Sequence, residues 1–405
     1  MRVVVVGAGI GGLALAQGLV GEGVDVLVLE RDRALPDTGG YRLHLTPAAG
    51  SALRGLLGAE AWRSVVAACA PPGASRRMHV TDRRLRTLVT APFEPGPDDE
   101  PHRMVGRIPL RVALGTGLAD RLRLGVRVTG TAPRTAGGVD VLLADADPVA
   151  ADVVVAADGV GSVVARGCAG GPTSAPVGLQ GLAGRAEPGP GVPELLGAGP
   201  VLGIGPHGVG AFLTLHAPAD EVPEAIWGLV VSDGAAARAD LGDADPRAAA
   251  ARLLRGWDPW LRDLVAHTDP ATVGRYRFHA ADPRRGTAPW RVDPAAPVVA
   301  LGDAVHAMPP TGGQSASTAV LDAADLRDAL VRSAPDAATL AARLDEVGDT
   351  IARRGAAAVA ESVAPARWIR RTEGPVGSAA LLGAERAVSS ARGLLGALGV
   401  RRGPR

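Results

Sequence analysis

The chain has 405 residues, an apolar fraction of 47% and a formal net charge of +1. This length and apolar content are sufficient for two or three packed domains or for one large elaborated domain. Arginine supplies every positive side chain other than histidine, because lysine is absent, and asparagine is absent as well. The nearly neutral charge gives no electrostatic basis for binding nucleic acid or acidic membranes. We therefore expect a globular protein with neither partner.

Cysteine usage and hydropathy indicate the compartment. Cys69 and Cys168 are the only two cysteines and lie far apart, so they predict neither a disulfide framework nor a metal knuckle. The apolar opening of the chain is interrupted by glycines and followed by the charged GEGVD segment, which argues against a signal peptide or a membrane span. We expect a cytoplasmic protein, and no residue cluster has the spacing of metal ligands.

Hydrophobic patterns predict two kinds of sheet. The β-branched run Val3–Val6, a helix over 10–19 and a strand over 24–30 form a β-α-β unit. Further predicted helices cover 47–57 and 108–119, and predicted strands cover 124–131, 138–143 and 152–158. Between about 170 and 290, Pro and Gly interrupt short β-like runs, with one helical patch at 247–266, which indicates a second domain on a different sheet. A buried strand at 297–303 and further helices complete the chain.

These patterns predict a discontinuous nucleotide-binding domain, a substrate domain and a C-terminal helical segment. The nucleotide-binding domain comprises residues 1–70, 100–170 and 290–335. The substrate domain comprises residues 71–99 and 171–289, and the helical segment comprises residues 336–405.

The segment Gly7-Ala8-Gly9-Ile10-Gly11-Gly12 matches the G-x-G-x-x-G pattern directly after a strand and directly before a helix. In this context Gly7 permits a tight turn, Gly9 lets the backbone approach a pyrophosphate, and Gly12 allows close packing of helix and strand. Glu30 ends the second strand, where an acidic side chain can bind an adenosine ribose. The pattern predicts a dinucleotide site, and the glycines leave NAD and FAD open.

The same pattern recurs as Gly203-Ile204-Gly205-Pro206-His207-Gly208. Pro206 removes a backbone donor there, and a strand-like run follows instead of a helix. We therefore predict that this second copy is not a nucleotide site.

Three separated motifs give the chain a specific resemblance. They are GAGIGG with Glu30-Arg31, the segment Asp158-Gly159-Val160-Gly161-Ser162, and Gly302-Asp303 with the stretch that follows it. In these motifs the chain resembles the single-component FAD-dependent monooxygenases of the aromatic-hydroxylase type. The resemblance implies an α/β architecture of the p-hydroxybenzoate hydroxylase fold, with a Rossmann-like FAD-binding domain, a β-sheet substrate domain and C-terminal helices.

The resemblance also implies site residues. The expected FAD-binding residues are Gly7, Gly9, Ile10, Gly11, Gly12, Glu30, Arg31, Arg42, Arg107, Val128, Asp158, Gly302, Asp303, Pro310, Gly312, Gly313, Gln314 and Ser315. The expected substrate-pocket residues are Phe212, Trp227, Tyr276 and Phe278. His44 and Arg42 are candidates for contact with flavin or substrate and for catalysis, with local hydrogen bonding in a strand as the alternative. His306, in the GDAxH pattern, is a weaker catalytic candidate.

The third motif also has a physical basis. Pro309 and Pro310 cannot enter a helix interior, and a helical pattern begins near residue 314, so a helix N-terminus is expected to face a flavin pyrimidine ring. Three positions depart from the usual family pattern. Ser317 is expected to retain helix capping, Ser315 adds bulk near the flavin edge, and Ala165 stands where the second motif usually ends in arginine.

The implied function is an NAD(P)H-dependent FAD monooxygenase. NADPH or NADH would reduce FAD, and O2 would form a flavin C4a-hydroperoxide that hydroxylates or epoxidises a small hydrophobic substrate, such as an aromatic polyketide or another secondary metabolite. A FAD-containing cyclase or isomerase without net oxygenation and a flavin-free scaffold remain alternatives. A halogenase is disfavoured because no candidate catalytic lysine exists. The protein is expected to be a monomer or homodimer.

Overall fold

The computed structural model describes residues 1–40, 42–71, 76–216, 223–242, 245–332, 334 and 336–383. Its helices are α1 (Ile10–Gly21), α2 (Pro47–Leu56), α3 (Ala59–Ala68), α4 (Arg107–Leu114), α5 (Val163–Cys168), α6 (Leu195–Ala198), α7 (Asp233–Arg238), α8 (Pro246–Leu253), α9 (Pro259–Ala266), α10 (Asp303–His306), α11 (Ser315–Val331) and α12 (Ala337–Arg371). Its strands are β1 (Arg2–Val6), β2 (Asp25–Leu29), β3 (Arg42–Leu45), β4 (Arg77–Asp82), β5 (Thr87–Pro92), β6 (Arg103–Gly106), β7 (Leu122–Arg123), β8 (Val128–Pro133), β9 (Val139–Leu143), β10 (Val149–Ala151), β11 (Val153–Ala156), β12 (Ala175–Ala186), β13 (Val201–Ile204), β14 (Val209–His216), β15 (Glu224–Ser232), β16 (Gly274–Ala280) and β17 (Val298–Ala300). The part of the predicted C-terminal segment after residue 383 lies outside the described residues.

The first sheet is five-stranded and parallel, with strand order β17-β11-β1-β2-β7. Alternate residues of β1 belong to two different cores. Val3 and Val5 pack against α1, α2, α4 and α11, whereas Val4 and Val6 pack against the three-stranded sheet β10-β9-β8. Because both faces are covered, β1, β2, β11 and β17 consist almost entirely of apolar residues.

Helix α1 packs against α11 through small residues. A side chain at Gly11 would meet Leu301 at 2.6 Å and Ala319 at 3.1 Å, and one at Gly18 would meet Leu56 at 2.5 Å. The glycines of the first helix therefore permit close packing as well as a tight turn, and they bring α11 beside the N-terminus of α1.

The second sheet has seven strands in the order β16-β12-β15-β14-β13-β4-β5. Its outer face carries Leu213, Trp227 and Leu229, which form a core with α8 and α9. The inner face carries the alternate residues, including Val230, which packs against Ile369 of α12. The single helical patch predicted at 247–266 is wrong in one respect. It is two helices, because Gly256 has a positive φ of 77° and Pro259 begins a new helix.

The second glycine-rich segment connects β13 to β14 as a hairpin. His207 and Gly208 both have positive φ, at 63° and 78°, and β14 begins at Val209. A strand follows the glycines, as the sequence predicts.

A small strand pair and the long helix α12 contact the large sheets. Strands β3 and β6 form an antiparallel pair, and β3 contacts the first part of α11. Helix α12, which has 35 residues, packs against α11, against β17 of the first sheet and against β14 and β15 of the second sheet. It therefore contacts both sheets, and the boundaries of the predicted domains remain a prediction.

Candidate active site

The GAGIGG turn has the shape that a pyrophosphate needs. A side chain at Gly7, whose φ is 105°, would place its Cβ 2.4 Å from the carbonyl oxygen of Ala157, and a Cβ at Gly12 would lie 2.1 Å from the Gly7 oxygen. A Cβ at Gly9, in contrast, would meet only Ala157 O, at 4.0 Å. Gly9 caps α1 without a side-chain hydrogen bond. The first N–H groups of α1 are therefore available to an anion on the open side of Gly9.

Glu30 follows β2 and is held by a buried ion-pair network. Its carboxylate accepts a 2.7 Å hydrogen bond from Ala8 N–H and pairs with Arg111 at 2.9 Å. The Arg111 guanidinium also donates to Ala8 O at 2.7 Å and to Asp32 at 2.8 Å. Arg111 thus ties the glycine turn to the predicted ribose ligand. Sequence analysis missed it, although it lies one helical turn after Arg107 among apolar residues.

The second motif forms the start of α5. Asp158 accepts hydrogen bonds from Ser162 Oγ and, at 3.0 Å, from the N–H of Val163. Burial raises the pKa of Asp158, and these hydrogen bonds oppose the rise. Ala165 is fully buried in the core of the first sheet, and Arg166 is exposed. The structure therefore places no guanidinium where the family motif usually carries one.

The third motif joins β17, α10 and α11. Gly302 has a φ of 61° and donates its N–H to the buried carboxylate of Asp322 at 3.0 Å. His306 donates to the same carboxylate at 2.5 Å, and Arg354 of α12 donates to it at 2.8 Å. His306, the weaker catalytic candidate, is buried. Its hydrogen bond to Asp322 anchors this loop from beneath.

The chain then forms a 3₁₀ turn, Pro310–Gly312, and a left-handed residue, Gly313, with φ of 63°. A side chain at Gly312 would meet Ser362 of α12 within 2.3 Å, so α12 covers this turn. Gln314 caps α11 without a side-chain hydrogen bond to its first turn, and its amide donates to Glu361 at 2.6 Å. The first N–H groups of α11 are therefore available to a flavin pyrimidine edge.

The two serines that depart from the family pattern have different partners. Ser315 Oγ donates to the Asp303 carboxylate at 2.7 Å, so its hydroxyl is directed at the predicted ribityl ligand. Ser317 Oγ donates to His44 O at 3.1 Å and accepts from Thr46 N–H at 3.0 Å. The expectation that Ser317 caps the helix is wrong, because Gln314 occupies the cap and Ser317 joins β3 to α11.

Arg42 and His44 are two residues apart on β3 and therefore point to the same side. Arg42 donates to Thr214 Oγ1 of β14 at 2.7 Å, which links the small sheet to the inner face of the large sheet. Burial lowers the pKa of Arg42 to about 10, a value at which it stays cationic near neutral pH. The Arg42 cation thus lies between β3, beside the predicted flavin loop, and β14, in the predicted substrate domain.

Three of the four predicted pocket residues lie on the inner face of the large sheet. Phe212 shares this face of β14 with Thr214, and Tyr276 shares that of β16 with Phe278. Trp227 does not. It is 0% exposed on the outer face, packs against the outer helices and donates to Thr268 at 2.9 Å. Strand alternation places it opposite the pocket, so its assignment to the substrate site is wrong.

A cavity of about 410 Å³ lies between the two sheets. Residues 38–40 and the first turn of α4 form one side, and the inner face of the large sheet forms the other, with Ile226, His216 and Tyr276. The Tyr276 hydroxyl accepts from Gly40 N–H at 3.2 Å, and a side chain at Gly40 would lie 2.9 Å from Arg107. Tyr276, a predicted substrate residue, therefore lines the cavity, and Gly40, which also lines it, lies next to Arg107, a predicted cofactor residue.

The remaining predicted cofactor residues lie at the ends of elements. Arg31 is exposed after Glu30, Arg107 opens α4, and Val128 opens β8 as a half-buried residue. Their roles in binding remain predictions. Among the described residues no group of three or more His, Cys, Asp or Glu could hold a metal ion, and no described helix is long and apolar enough to cross a membrane.

Together these features fit FAD. The open side of Gly9 and the uncapped start of α1 suit a pyrophosphate, Glu30 suits a ribose, and the uncapped start of α11 suits the pyrimidine end of a flavin. The parallel sheet, the seven-stranded sheet and the C-terminal helix define the class of the protein as a Rossmann-type flavoprotein of the p-hydroxybenzoate hydroxylase fold.

Comparison with known proteins agrees with this class. Residues 5–41 match an NAD(P)-binding Rossmann-like domain, and residues 267–362 match an FAD binding domain. A FAD-dependent urate hydroxylase of Klebsiella pneumoniae is 26% identical over 376 residues, which cover 87% of this chain and 88% of that protein. The crystal structure of Klebsiella pneumoniae HpxO with FAD and uric acid has a TM-score of 0.67, 24% identity and 95% coverage of both chains. The structure of CtdE with FAD and a substrate has a TM-score of 0.74 at 19% identity, with 92% of this chain and 90% of CtdE covered.

The chain is similar to FAD-dependent monooxygenases of the aromatic-hydroxylase type, and these matches support its assignment as an FAD monooxygenase. Its cofactor is FAD, and the matched Rossmann-like domain supports NAD(P)H as the electron donor.

Proposed function

We propose that this protein is an NAD(P)H-dependent monooxygenase that hydroxylates or epoxidises a small organic substrate with one apolar ring system and at least one polar substituent. The observation that carries the proposal is the cavity of about 410 Å³ between residues 38–40 with the first turn of α4 on one side and the inner face of the seven-stranded sheet on the other. That volume lies in the range of ligand pockets, about 300–1,000 Å³.

The cavity lining supports this substrate class. Ile108, Ile226 and Val273 offer apolar contacts, and Tyr276 offers an aromatic ring. Arg185 and Glu224 lie 3.6 Å apart as an ion pair, and His216 lies buried beside them. Apolar surface favours a ring system, and these polar groups favour an oxygen or nitrogen substituent that would fix its orientation. An aromatic polyketide or another secondary metabolite satisfies both conditions.

When bound, FAD supplies the electron transfer and oxygen activation of this reaction. The chain supplies binding, orientation and exclusion of water. The uncapped helices α1 and α11 and the Glu30–Arg111 pair would hold the two ends of the cofactor. Helix α12 covers the turn before α11 through Ser362, which limits access of water from that side. Arg42 places a positive charge where a substrate anion would be stabilised.

We further infer that NADPH or NADH reduces the flavin and that the protein is cytoplasmic. The two cysteines are free, which suits a reducing compartment. Among the described residues, one glycine turn has the geometry of a dinucleotide site, so the donor is expected to bind transiently and not in a second Rossmann fold. Ala165 stands where the second motif of the family usually has an arginine. The reduction of the flavin by NADH or NADPH should therefore be measured early.

A direct experiment combines cofactor, donor and product. FAD-loaded protein is mixed with NADH or NADPH and a panel of phenols, naphthols and hydroxyquinones, and the rate of NAD(P)H oxidation is measured. We expect at least one compound to accelerate oxidation and to gain one oxygen atom from labelled molecular oxygen. Acceleration that yields only hydrogen peroxide, or a product with an unchanged mass, would contradict the proposal.

The alternative function, a FAD-containing cyclase or isomerase, is motivated by Ser315 and Ser317, which stand where the family usually has glycine and asparagine. The Ser315 hydroxyl is hydrogen-bonded to Asp303, so this residue supports the position of a predicted cofactor ligand. A product isomeric with its substrate and formed without consumption of NAD(P)H would establish the alternative.

A further inference from the structure

One end of the cavity between the sheets carries a row of polar side chains. Arg185 of β12 lies directly across from Ile226 of β15, so Glu224, two residues before Ile226, is its diagonal neighbour on the inner face. Glu224 in turn lies directly across from His216 of β14. All four residues line the cavity. A cation, a carboxylate and an imidazole therefore stand side by side at the end of the sheet where β15 begins.

The Arg185–Glu224 pair keeps hydrogen-bonding capacity for a ligand. The closest nitrogen and oxygen are 3.6 Å apart, which exceeds the separation of about 2.7–2.9 Å in a charge-assisted hydrogen bond. A guanidinium has five N–H donors and a carboxylate only accepts, so one loose contact uses little of either group. Among the described residues neither side chain has a second ion-pair partner. Both groups can therefore bind a ligand without first breaking a strong interaction.

The paired charges select for a neutral polar group. An anion that approached Arg185 would also lie beside the Glu224 carboxylate, and a cation that approached Glu224 would also lie beside Arg185, so either ligand would meet a like charge. A lactam avoids both penalties. Its ring holds the carbonyl oxygen and the N–H of the amide on the same side. The oxygen can accept from Arg185 while the N–H donates to Glu224.

A second polar position lies further along the same face. Tyr276 of β16 lines the cavity, and its hydroxyl oxygen accepts from Gly40 N–H at 3.2 Å. Burial raises the pKa of Tyr276 above its ordinary 10, so the hydroxyl keeps its proton at neutral pH. Among the described residues none accepts this hydrogen. The hydroxyl is therefore a donor for an oxygen or nitrogen atom of a ligand.

The strand register gives the distance between the two positions. A Cβ at Gly274 would lie 2.3 Å from the Tyr276 hydroxyl oxygen, so the ring runs back along β16 and places its hydroxyl over Gly274. Gly274 pairs with Ala183 of β12, which is two residues before Arg185. Two residues of a strand span about 7 Å. A ligand with two fused rings can reach from one position to the other.

We propose that the cavity binds a neutral compound of two or more fused rings through a lactam edge, which Arg185 and Glu224 hold, with a further oxygen at the Tyr276 hydroxyl. This inference rests on the proposed function, because it names the substrate class of that same cavity. Arg185 and Glu224 determine specificity, and their contacts with the ligand transfer neither protons nor electrons.

The first test measures binding to the FAD-loaded protein by calorimetry, with four two-ring probes of similar size. Isoquinolin-1(2H)-one carries the lactam edge, and in isocoumarin an oxygen replaces its N–H. The compound 1-naphthoate is an anion, and 1-naphthylmethylamine is a cation. We expect the lactam to bind about 10-fold more tightly than each of the others, since each leaves a charged partner unpaired or meets a like charge. Equal Kd values for lactam and lactone, tighter binding of 1-naphthoate, or no binding of the lactam would overturn the proposal.

Variants assign the selectivity to the pair. Glu224→Ala removes the acceptor, so it should abolish the preference for the lactam over the lactone. Glu224→Gln removes the negative charge at similar size, so it should bind 1-naphthoate about 10-fold more tightly than the wild type does. Arg134→Ala is the matched control, because Arg134 and Asp140 form another partly exposed pair, on the three-stranded sheet, and its loss should leave all four Kd values unchanged. A lactam preference that persists in Glu224→Ala would contradict the proposed role of Glu224.

Tyr276→Phe tests the second position. The wild type should bind 6-methoxyisoquinolin-1(2H)-one about 5-fold more tightly than the parent lactam, the effect of one added hydrogen bond. Tyr276→Phe should remove this gain and leave the Kd of the parent lactam unchanged. A gain that persists in Tyr276→Phe would exclude the hydroxyl as its donor.

Failure of this inference differs from failure of the proposed function, because binding requires no turnover. If the lactam binds with the expected selectivity and no compound gains oxygen, the proposed function fails and the specificity stands. If phenols gain oxygen while lactam and lactone bind equally, the inference is wrong and the monooxygenase stands. The comparison of lactam with lactone uses the wild-type protein alone, so it decides the matter even when thermal unfolding shows that a variant is misfolded.

Discussion

Two segments of this chain carry the same glycine pattern and form different structures. At Gly7–Gly12 the glycines turn a parallel strand into α1 and leave the helix N-terminus open. At Gly203–Gly208 they connect two antiparallel strands, and their missing side chains make room for the outer core, since a Cβ at Gly205 would meet Trp257 at 2.4 Å. A glycine-rich pattern thus indicates only that another group approaches the backbone closely. What approaches depends on the element that follows.

The comparison extends to the two sheets. In the parallel sheet the predicted ligands follow strand ends, where Glu30, Asp158 and Asp303 are close to backbone turns that the sequence identifies. In the antiparallel sheet, successive side chains of a strand point alternately to the inner face, which borders the pocket, and to the outer face, which forms the core. Phe212 and Trp227 look equally plausible as pocket residues in the sequence, and they lie on opposite faces.

The largest effect is expected from Gly12→Ala, which should abolish FAD binding. The added Cβ would lie 2.1 Å from the Gly7 oxygen, and neither backbone can retreat without opening the turn. Flavin absorbance of the purified protein measures the loss. Gly21→Ala is the matched control, because nothing lies within 4 Å of its Cβ in the same helix.

The counterpart in the second segment, Gly205→Ala, should lower the melting temperature and leave the FAD content of the folded protein unchanged. Loss of flavin from a folded Gly205→Ala variant would break the comparison, since it would give both segments a part in cofactor binding.

Trp227→Ala should come next, with a loss of about 3–5 kcal/mol in the free energy of unfolding, the range for removing a fully buried Trp. The ring is 0% exposed and its Nε1 donates to Thr268, so the substitution leaves a cavity and removes one hydrogen bond, while Thr268 still donates to Leu264 O. Urea unfolding measures the effect. Phe212→Ala, on the half-buried inner face, should cost less stability and should alter KM for a substrate. If Trp227→Phe changed KM with stability intact, the assignment of faces would be wrong.

The buried His306–Asp322 pair beneath the third motif predicts that stability depends on pH. Burial alone would lower the pKa of His306 and raise that of Asp322. Their mutual attraction and hydrogen bond outweigh burial, so the pKa of His306 lies above its ordinary 6.5 and that of Asp322 below its ordinary 3.8. The contribution of His306 to the free energy of unfolding is fully present below pH 6.5, and it is lost as pH rises through the raised pKa of His306. The contribution of Asp322 is fully present above pH 3.8 and is lost as pH falls through the lowered value.

The difference in unfolding free energy between wild type and His306→Gln should therefore be largest between about pH 4 and 6.5 and should shrink on either side. Urea titrations at a series of pH values measure it. His267→Gln serves as the control and should give a difference that does not follow this profile. A His306→Gln difference that grows from pH 6.5 to 9 would show that the histidine is neutral in the folded protein.

The smallest effect is expected from Ser315→Ala, which removes the 2.7 Å hydrogen bond to Asp303. One hydrogen bond contributes about 1 kcal/mol net, so the affinity for FAD should fall roughly 5-fold. Calorimetric titration of the apoprotein with FAD measures the change. Ser317→Ala instead removes the two contacts between α11 and β3, and it should lower the melting temperature more than it lowers FAD affinity. Equal effects of the two substitutions would remove the distinction between these serines.

The sequence by itself determined the parts of this protein in which local chemistry and the order of elements suffice. Buried β-branched runs, a glycine turn before a helix, and a Pro-Gly stretch before another helix predict the Rossmann unit, the cofactor class and most of its expected ligands. They do so because each feature constrains the backbone within a few residues of itself. Even the misread patch at 247–266 was helical, and only its interruption at Gly256 and Pro259 was missed.

Only the tertiary structure decided which distant side chains meet. Arg111 reaches Glu30 from a helix about 80 residues later in the chain, and the partners of Ser315, Ser317 and His44 come from segments brought together by packing. Which face of the antiparallel sheet meets the cofactor depends on which layer covers the other face. The alternation of residues along a strand separates the two faces but does not say which of them is covered. Long-range contacts of this kind depend on how the layers pack, so they appear only when the layers are assembled.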